Sequence, residues 1–294
     1  MASGSDLFDL LPDPILLLIL NRVSDVKTLL RCRSVSRRLS SLVPLSDSLL
    51  LRVDRVIPAS HDPAASLLSS LLKSLLHLIS PSPPNSPSRI LRRFHAIKTL
   101  KIDLPAGDLH PANGTSIKWV ARFGHTLRSC VILASGTAGM KTRVVWTISA
   151  LIAASARHHM AADVVDEQRL LSHLVVSDRE GEGAMIMDKD GLREFRERIA
   201  AAAEDWRRSG RTTVPAVGVR MRHEPRLELS SGVVVEGATL VVVRPVEEGP
   251  RPCEAEEAHG DEALAAEAFG GGVYAEHVEK LLKSRAYILE MDSF

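Results

Sequence analysis

A run of large aliphatic residues lies close to the beginning of the chain, from Ile15 to Leu20. Pro12 and Pro14 come just before the run. Proline has no backbone N–H, and the first turn of a helix does not need that donor, so the pattern predicts that a helix begins here. The apolar positions recur at helical spacing, but Leu17 and Leu18 widen the apolar arc beyond what a single core contact needs. This surplus predicts that the helix also contacts a second surface.

Two more short helices are predicted after this one. Asp25 is typical of the capping residue in a helix-to-helix turn. A second helix then passes through Val26 and Leu29, and a third ends at Pro44. Three short helices in about 35 residues make too small a core to be stable alone, so the remaining apolar surface needs a partner.

The residues around the aliphatic run exclude two other interpretations of it. Asp6, Asp9 and Asp13 precede the run, whereas a secretory signal needs a positively charged N-terminal region. A membrane-spanning helix needs about 20 apolar residues, and this run has roughly half that number. We therefore expect a soluble protein of the nucleus and cytoplasm, with no membrane partner.

The later part of the chain predicts a mixed α/β (α+β) domain. Short strands are predicted to start at Ile97, Leu127, Ser172, Val217 and Thr239. Segment 141–160, between the second and third of these, has the length and alanine content of a largely buried helix, which suggests a βαβ-like unit. A meander around the turn at 231–232 favours antiparallel pairing, so the sheet is expected to be mixed. The leucine-rich strand starts are similar to degenerate leucine-rich repeats, although no fixed period occurs.

These patterns divide the chain into six segments. They are a three-helix domain at 1–46, a connecting strand and helix at 47–79, a Ser/Pro-rich loop at 80–88, an α/β domain at 89–245, an acidic disordered loop at 246–272, and a closing helix with an extended tail at 273–294. The Ser/Pro-rich loop is predicted from its prolines, which favour an extended and flexible chain.

Charge is balanced over the whole chain, with a net value of +1, but it is uneven along it. Residues 22–38 carry six basic side chains against one acidic, and residues 247–268 carry eight carboxylates against one arginine. The cysteines, Cys32, Cys130 and Cys253, are far apart and odd in number. Neither a disulfide framework nor a Cys-x-x-Cys metal site is therefore indicated, and reduced thiols are expected.

A glycine-rich segment, GTAGMKT at 136–142, precedes the long helix. The phosphate-binding loop has the pattern Gly-x-x-x-x-Gly-Lys-Ser/Thr, and here Met140 stands before Lys141, where that pattern requires glycine. The segment is therefore interpreted as a loop that enters a buried helix.

The candidate metal ligands form no recognised pattern. His158 and His159 are neighbours on the predicted helix and point about 100° apart, so one ion cannot bind both. His159 and Asp163 have the better spacing but lack a third ligand. DKDG at 188–191 lacks the later positions of a calcium loop. No hydrolase, zinc-protease or nucleotide-binding motif occurs, so the sequence predicts no catalytic residue, no metal and no cofactor.

The basic segment leaves more than one class of partner open. Nucleic acid would bind Arg31, Arg33, Arg37 and Arg38, but the segment has no aromatic residue for base stacking, so nucleic acid is the less favoured partner. An acidic protein would explain the same charges. A nucleic-acid-binding regulator that uses the basic helices at 22–38 stays as the alternative. A small-molecule receptor or hydrolase would need a closed pocket in the second domain.

Residues 11–43, LPDPILLLILNRVSDVKTLLRCRSVSRRLSSLV, resemble the F-box. The likeness rests on the Leu-Pro start, the aliphatic helix, the short Asp-Val-Lys turn and the Val-Ser-Arg-Arg segment. Four later motifs are similar to plant auxin-upregulated F-box proteins, namely GMKTRVVWTISALIAASARHHM, GEGAMIMDKDGLREF, ATLVVVRP and LEMDSF. The segment LLLRVDRVI is similar to a wider plant group with a Val-Asp strand after the F-box.

This resemblance implies a non-catalytic substrate-recognition subunit of a Skp–cullin–F-box ubiquitin ligase. Its partners would be an SKP-type adaptor, through it cullin and the RING subunit, and a protein substrate. The adaptor-binding surface is expected to comprise Leu11, Pro12, Ile15, Leu16, Ile19, Leu20, Val35, Arg37, Arg38 and Leu39. A few such buried anchors dominate the binding energy of an interface. Many F-boxes have an aromatic residue where this chain has Leu39, so that anchor is smaller.

The domain at 89–245 would then be the substrate receptor. Arg220 and Arg222 alternate with apolar residues on a predicted strand, and both are expected to be exposed. In that position they would favour an acidic or phosphorylated substrate.

Overall fold

The computed structural model describes residues 8, 10–53, 87–107, 109, 114–201, 212–246 and 254–294. The helices are α1 (Asp13–Val23), α2 (Val26–Cys32), α3 (Arg37–Leu42), α4 (Pro87–Leu91), α5 (Met140–Met160), α6 (Ala162–Glu167), α7 (Lys189–Ala201), α8 (Glu254–Phe269) and α9 (Ala275–Leu282). The strands are β1 (Ser48–Arg52), β2 (Thr99–Leu104), β3 (Ser116–Phe123), β4 (Leu127–Ser135), β5 (His173–Asp178), β6 (Gly183–Met187), β7 (Val217–Glu228), β8 (Val234–Pro245) and β9 (Ala286–Met291).

All the described strands belong to one mixed sheet, in the order β1-β2-β5-β6-β3-β4-β8-β7-β9. Strands β1, β2 and β5 are parallel, as are β6 and β3, and the other neighbours are antiparallel. Helix α5 connects β4 to β5 and packs on β3, β4 and β6. The predicted mixed α/β fold, with an N-terminal helical region followed by a mixed sheet, is therefore confirmed. The likeness of the strand starts to leucine-rich repeats stays a prediction.

The two faces of the sheet bury unequal cores. The larger core joins side chains of α1, α2, α5 and α7 to one face, and it includes Leu151 of α5 and Phe195 of α7. On the other face, α8 and α9 cover β4, β7 and β8 through Ala265, Phe269 and Leu281. The sheet is thus covered on both faces along β4 and β8, which suits their nearly continuous runs of apolar residues.

The N-terminal helices are joined to the sheet through backbone contacts. The amide of Leu50 in β1 donates to the carbonyl oxygen of Ser24 at 2.9 Å, and the amide of Asp47 donates to Oδ1 of Asn21 at 3.0 Å. The amide of His95, just before β2, donates to the carbonyl oxygen of Pro44 at 2.9 Å. The small helical core is thus completed by the sheet rather than standing alone.

The prediction of a disordered acidic loop at 246–272 is wrong for the residues that form α8. Asp261 in this helix is 2% exposed, and it pairs with Arg244 at 3.0 Å and with Arg222 at 3.4 Å. Glu257, one turn earlier, pairs with Arg220. Arginines on β7 and β8 supply the counter-charge that an isolated acidic segment lacks, so the segment packs as a helix. Of the predicted Ser/Pro-rich loop, residues 80–86 lie outside the described residues, and α4 begins at Pro87.

The same contacts contradict the prediction that Arg220 and Arg222 are exposed. Arg222 is 5% exposed, and both side chains face α8, where Asp261 and Glu257 neutralise them. The alternating pattern of β7 correctly predicts that the arginines lie on the opposite side from the main core. The same pattern does not predict that the acidic helix α8 covers that side of the strand.

Candidate docking surface

The first helix begins and ends by local sequence effects. Pro12 precedes it in an extended conformation (ψ 149°), and Asp13 lies in its first turn, where a carboxylate stabilises the positive end of the helix dipole. Ser24 ends the helix with a φ of 52°, in the left-handed region. The carbonyl oxygen of Ser24 then accepts the hydrogen bond from Leu50, which fixes the end of α1 on the sheet.

One face of α1 is buried. Leu16 and Leu20 are 3% and 4% exposed, and they pack in the main core with Val26 and Leu29 of α2. Residues four apart lie on the same side of a helix, so both leucines hold α1 against α2 and the sheet. Their burial contradicts the prediction that Leu16 and Leu20 contact an adaptor directly.

A second face of α1, next to the buried one, is apolar and exposed. It carries Ile15, Leu18, Ile19 and Val23, which are spaced for one side of a helix and are between 37% and 57% exposed. We call these four residues the apolar stripe. Contiguous exposed apolar side chains on a soluble protein mark interaction surfaces. The stripe is therefore the strongest candidate for a protein-docking surface on the described chain.

Other exposed apolar residues of the N-terminal region extend this candidate surface. Phe8 and Leu10 lie exposed just before α1, and Val35, in the turn before α3, is 75% exposed. Leu11 and Leu39 are half-buried, and Leu11 packs against the main core. The larger anchors are therefore found on and before α1 rather than on α3.

A single arginine fixes the approach of the chain to α1. Arg38 of α3 donates to Oδ1 of Asp13 through Nε at 2.8 Å and through Nη2 at 2.6 Å. It also donates to the carbonyl oxygen of Phe8 at 3.1 Å and to that of Leu11. Arg38, expected to face an acidic partner, is thus committed to contacts within the chain. Its neighbour Arg37 is exposed.

The exposed charged side chains of segment 22–38 are all positively charged. Arg22, Lys27, Arg31 and Arg37 are exposed. The single acidic residue of this segment, Asp25, caps α2 by accepting a hydrogen bond from the Thr28 amide at 2.9 Å, so its carboxylate is directed to the helix end. The charge pattern is complementary to an acidic partner, and such complementarity favours rapid and selective association.

The structure thus divides the predicted docking residues into three groups. It exposes Pro12, Ile15, Ile19, Val35 and Arg37, half-buries Leu11, Arg38 and Leu39, and buries Leu16 and Leu20. Sequence reasoning missed Leu18 and Val23 as docking residues. The spacing could have found them, because they lie three and eight residues after Ile15, on its side of the helix.

A buried ion pair lies under α5, far from the stripe in sequence. Arg157 and Asp178 are completely buried and lie 3.0 Å apart, and the Arg157 guanidinium packs 4.6 Å from the Trp119 ring. Asp178 also accepts from the amides of Glu182 and Gly183 at 2.8 and 2.7 Å. Burial raises the pKa of Asp178, but these hydrogen bonds and the charge of Arg157 outweigh it and leave the pKa below its ordinary value. The pair is satisfied internally and holds α5 to the sheet.

His158 is also used structurally. Its ring stacks on the Phe123 ring at 4.4 Å between centroids and lies tilted against the Phe195 ring at 4.0 Å. One ring nitrogen lies 2.6 Å from Oγ1 of Thr212, and the other lies 3.0 Å from the carbonyl oxygen of Gly124. Burial lowers the pKa of His158 to about 3, so the ring is neutral at ordinary pH and both nitrogens are occupied.

The described part of the chain offers neither a metal-binding cluster nor a membrane-spanning helix. Within the described ranges, no group of three or more His, Cys, Asp or Glu side chains is arranged to hold a metal ion. In the same part of the chain, every helix is too short or too polar to cross a membrane.

Comparison with known proteins agrees with the geometry of the N-terminal helices. The F-box-like family model matches residues 8–54. The chain is 44% identical to F-box protein AUF2 of Arabidopsis thaliana, over 98% of this chain and all of that protein. It is 41% identical to F-box protein AUF1 of the same plant, with the same coverage. No solved structure matches.

The likeness is not confined to the helices that carry the apolar stripe. Because both relatives align along their whole length, the likeness extends over the residues of the sheet and its covering helices as well as those of the F-box. The chain belongs to the plant F-box proteins of the AUF group.

Proposed function

We propose that this protein is the substrate-recognition subunit of a Skp–cullin–F-box ubiquitin ligase, and that it binds an SKP-type adaptor through the apolar stripe of α1. An F-box indicates a substrate-adaptor role of this kind and implies an SKP-type partner. The observation that carries the proposal is the stripe itself: α1 is anchored by one buried face, and its second apolar face is exposed. Cullin and the RING subunit would join through the adaptor.

The proposed mechanism is scaffolding rather than chemistry within this chain. The F-box would hold the protein on the ligase, and the sheet domain would hold a protein substrate near the conjugating enzyme. Holding an acceptor lysine close to a charged conjugating enzyme raises its effective concentration. No covalent intermediate on this chain is needed for that step.

Burial refines which residues should dominate adaptor binding. We assign the anchors to Ile15, Leu18 and Ile19, together with the exposed Val35. Leu16 and Leu20 hold α1 in the core by their burial. Arg38 holds the first turn of α1 by its hydrogen bond to Asp13. Arg37 and its exposed basic neighbours would meet an acidic surface of the adaptor. Action in the nucleus and cytoplasm stays a prediction.

The test is co-purification of the full chain with an SKP-type adaptor, comparing wild type with a triple variant, Ile15→Ser, Leu18→Ser and Ile19→Ser. Removal of anchors at the centre of an interface costs about 2 kcal/mol or more for each of the strongest. We therefore expect the affinity of the triple variant to fall by at least about a hundredfold. Circular dichroism should show an unchanged fold, because these side chains are exposed.

A matched control changes three exposed apolar residues elsewhere, Leu170→Ser, Val233→Ser and Val273→Ser, which are between 54% and 77% exposed. This control should bind the adaptor like wild type. Equal retention of the adaptor by both triple variants would overturn the stripe as the docking surface. Binding of nucleic acid that weakens steeply with salt and requires Arg31 and Arg37 would favour the nucleic-acid alternative instead.

A further inference from the structure

One buried arginine in the sheet domain lacks the acidic partner that comparable arginines have. Arg157 pairs with Asp178 at 3.0 Å, and Arg222 pairs with Asp261 at 3.4 Å. Arg143, in the first turns of α5, is only 9% exposed, and no carboxylate of the described chain forms an ion pair with it. Buried charges in proteins are normally paired with an opposite charge. The guanidinium of Arg143 is therefore a candidate to bind an anion.

The guanidinium is held in a fixed orientation. Its Nη2 donates to the carbonyl oxygen of Ala138 at 2.6 Å and lies 2.8 Å from Nε2 of His223. Nδ1 of His223 lies 3.1 Å from the carbonyl oxygen of Ala238, which can only accept, so Nδ1 carries the proton and Nε2 accepts from Arg143. Both hydrogens of Nη2 are thereby used.

The remaining donors of Arg143 have no acceptor. Nε is enclosed without a hydrogen-bond partner, and Nη1 makes no hydrogen bond within the described chain but is not enclosed. Burial lowers the pKa of Arg143, and the electrostatic influence of Tyr287 only partly opposes this. A guanidinium that is oriented by neutral groups and open on one side is suited to bind an external anion.

The first turn of α5 adds backbone donors at the same place. Gly139 precedes this 21-residue helix, no side chain caps it, and no acidic residue lies in its first turn. The first amides of a helix have no partner within the helix and carry the positive end of its dipole. Ala138, the acceptor for Arg143, is the residue before Gly139, so the guanidinium lies at this helix end.

The helix end is also open to a ligand. A Cβ atom added at Gly139 would have no neighbour within 4 Å. Met140, Lys141 and Thr142 are exposed, and Lys141 adds a second positive charge. The first-turn amides, Nη1 of Arg143 and the ammonium of Lys141 together offer more donors than the two oxygens of a carboxylate can use. A phosphate monoester has three terminal oxygens and close to two negative charges.

We propose that the N-terminal end of α5 binds the phosphate of a phosphate monoester, with Arg143 as its buried counter-charge and Lys141 at its rim. Helix ends with free amides bind phosphate in many folds. The phosphate is carried either by a phosphorylated side chain of a protein substrate, which rests on the proposed substrate-receptor function, or by a small phosphorylated molecule.

The test is a titration of the full chain, labelled with ¹⁵N, with a short phosphoserine peptide, the same peptide with serine, and inorganic phosphate. Binding of the phosphoserine peptide should shift the amide resonances of residues 139–142. The serine peptide should not shift them. In Arg143→Leu we expect at least about a tenfold loss of affinity, since a charge-assisted hydrogen bond is removed. Arg143→Lys should recover part of it.

A second variant keeps the test decisive if Arg143→Leu folds poorly. Met140→Glu adds a carboxylate at an exposed position of the first turn, which repels phosphate without opening the core, and it should weaken binding at least as much. Arg169→Leu, at an exposed arginine elsewhere, is the matched control and should bind like wild type.

The outcomes separate the two sources and the two proposals. A shift with the phosphoserine peptide at much lower concentration than with inorganic phosphate supports a protein source, and similar affinities support a small-molecule source. Absence of any shift at residues 139–142, or equal affinity in wild type and both Arg143→Leu and Met140→Glu, overturns the site. Adaptor co-purification should be unaffected by either change, so its loss in the apolar-stripe variant tests the F-box assignment independently.

Discussion

Helices α1 and α5 show opposite relations between composition and burial. Helix α1 contains an almost unbroken aliphatic run, yet its apolar stripe is in contact with solvent. Helix α5 carries Thr147, Ser155, Arg157 and His158, and all four are buried. The more apolar helix is therefore the more exposed one. An exposed apolar face and a buried polar face are both informative, because each departs from the usual distribution of residues between surface and core.

The difference arises from what covers each helix. Helix α5 crosses the sheet, and carbonyl oxygens, Asp178 and Thr212 satisfy its polar groups there. Helix α1 lies beside the edge strand β1, and of its side chains only Leu16 and Leu20 are buried in the core, while Leu17 packs against it half-buried. In α5 polar side chains stabilise the fold, and in α1 apolar side chains are available for binding. The following changes test that division, from the largest expected effect to the smallest.

The largest effect is expected from Asp178→Ala. This change leaves Arg157 completely buried without its counter-charge, and breaking a buried pair in this way costs about 3–5 kcal/mol of the free energy of unfolding. The measurement is urea denaturation. Asp166→Ala is the control, because Asp166 pairs with Arg169 at 3.0 Å on the surface, where such pairs contribute about 0.5 kcal/mol or less. Similar losses for both variants would show that the pair under α5 is not essential.

A somewhat smaller effect is expected within α1 itself. Leu20→Ala removes a side chain that is 4% exposed and should cost about 2–4 kcal/mol through lost burial and a cavity. Leu18→Ala removes the same atoms from a side chain that is 57% exposed and should change stability by about 0.5 kcal/mol or less. Thermal and urea unfolding of the two variants measure this directly. Equal destabilisation would place the stripe in a core and remove the argument for docking.

Acid should weaken the packing of α5. The pKa of His158 is lowered to about 3 by burial, whereas an unfolded histidine titrates near its ordinary value of 6.5. The neutral ring therefore stabilises the fold fully above about pH 6.5, and that contribution falls by about 1.4 kcal/mol per pH unit as the pH drops towards 3. His158→Gln should flatten the pH dependence of the free energy of unfolding between pH 6 and 4. An unchanged slope would contradict the buried neutral assignment.

The smallest effect concerns the helix ends. Asp25→Ala removes the side chain that caps α2, and losses of this kind are about 1 kcal/mol. Gly139→Ala, at the uncapped start of α5, should cost less, about 0.5 kcal/mol, because glycine is favoured over alanine at a helix N-cap but no capping oxygen is lost, and the added Cβ has free space. Unfolding curves of the two variants give the comparison. A greater loss at Gly139 would mean that the α5 start is more constrained than its geometry shows.

Local patterns in the sequence predicted the elements whose cause is local. The proline-flanked start of α1, the Asp25 cap and the buried α5 all follow from neighbouring residues. The alternation in β7 correctly placed Val219 and Met221 in the core. The F-box motif led to the candidate docking surface for the same reason, because its determinants lie within one short segment.

Long-range contacts account for what the sequence did not predict. Strand β3 carries Lys118 and Arg122 on one side, and its strand character became evident only from pairing with β4 and β6. The acidic segment was expected to be disordered because its counter-charges, Arg222 and Arg244, lie on other strands. Leu16 and Leu18 lie two residues apart and are chemically identical, and only the position of the sheet tells which of them is buried.

Strand β1 has a practical consequence for dissecting this protein. It hydrogen-bonds with β2, and Leu49 and Leu51 are buried, so the F-box helices and the sheet share one folded unit. One way to obtain a chain that captures substrate without binding an adaptor is to delete residues 1–54. This deletion would remove β1 from its place beside β2 and leave β2 as an unpaired edge strand, which promotes aggregation. Partners captured by such a truncated chain would include proteins that bind unfolded surfaces. Serine substitutions on the exposed side of α1 would separate ligase assembly from substrate capture while leaving that edge closed.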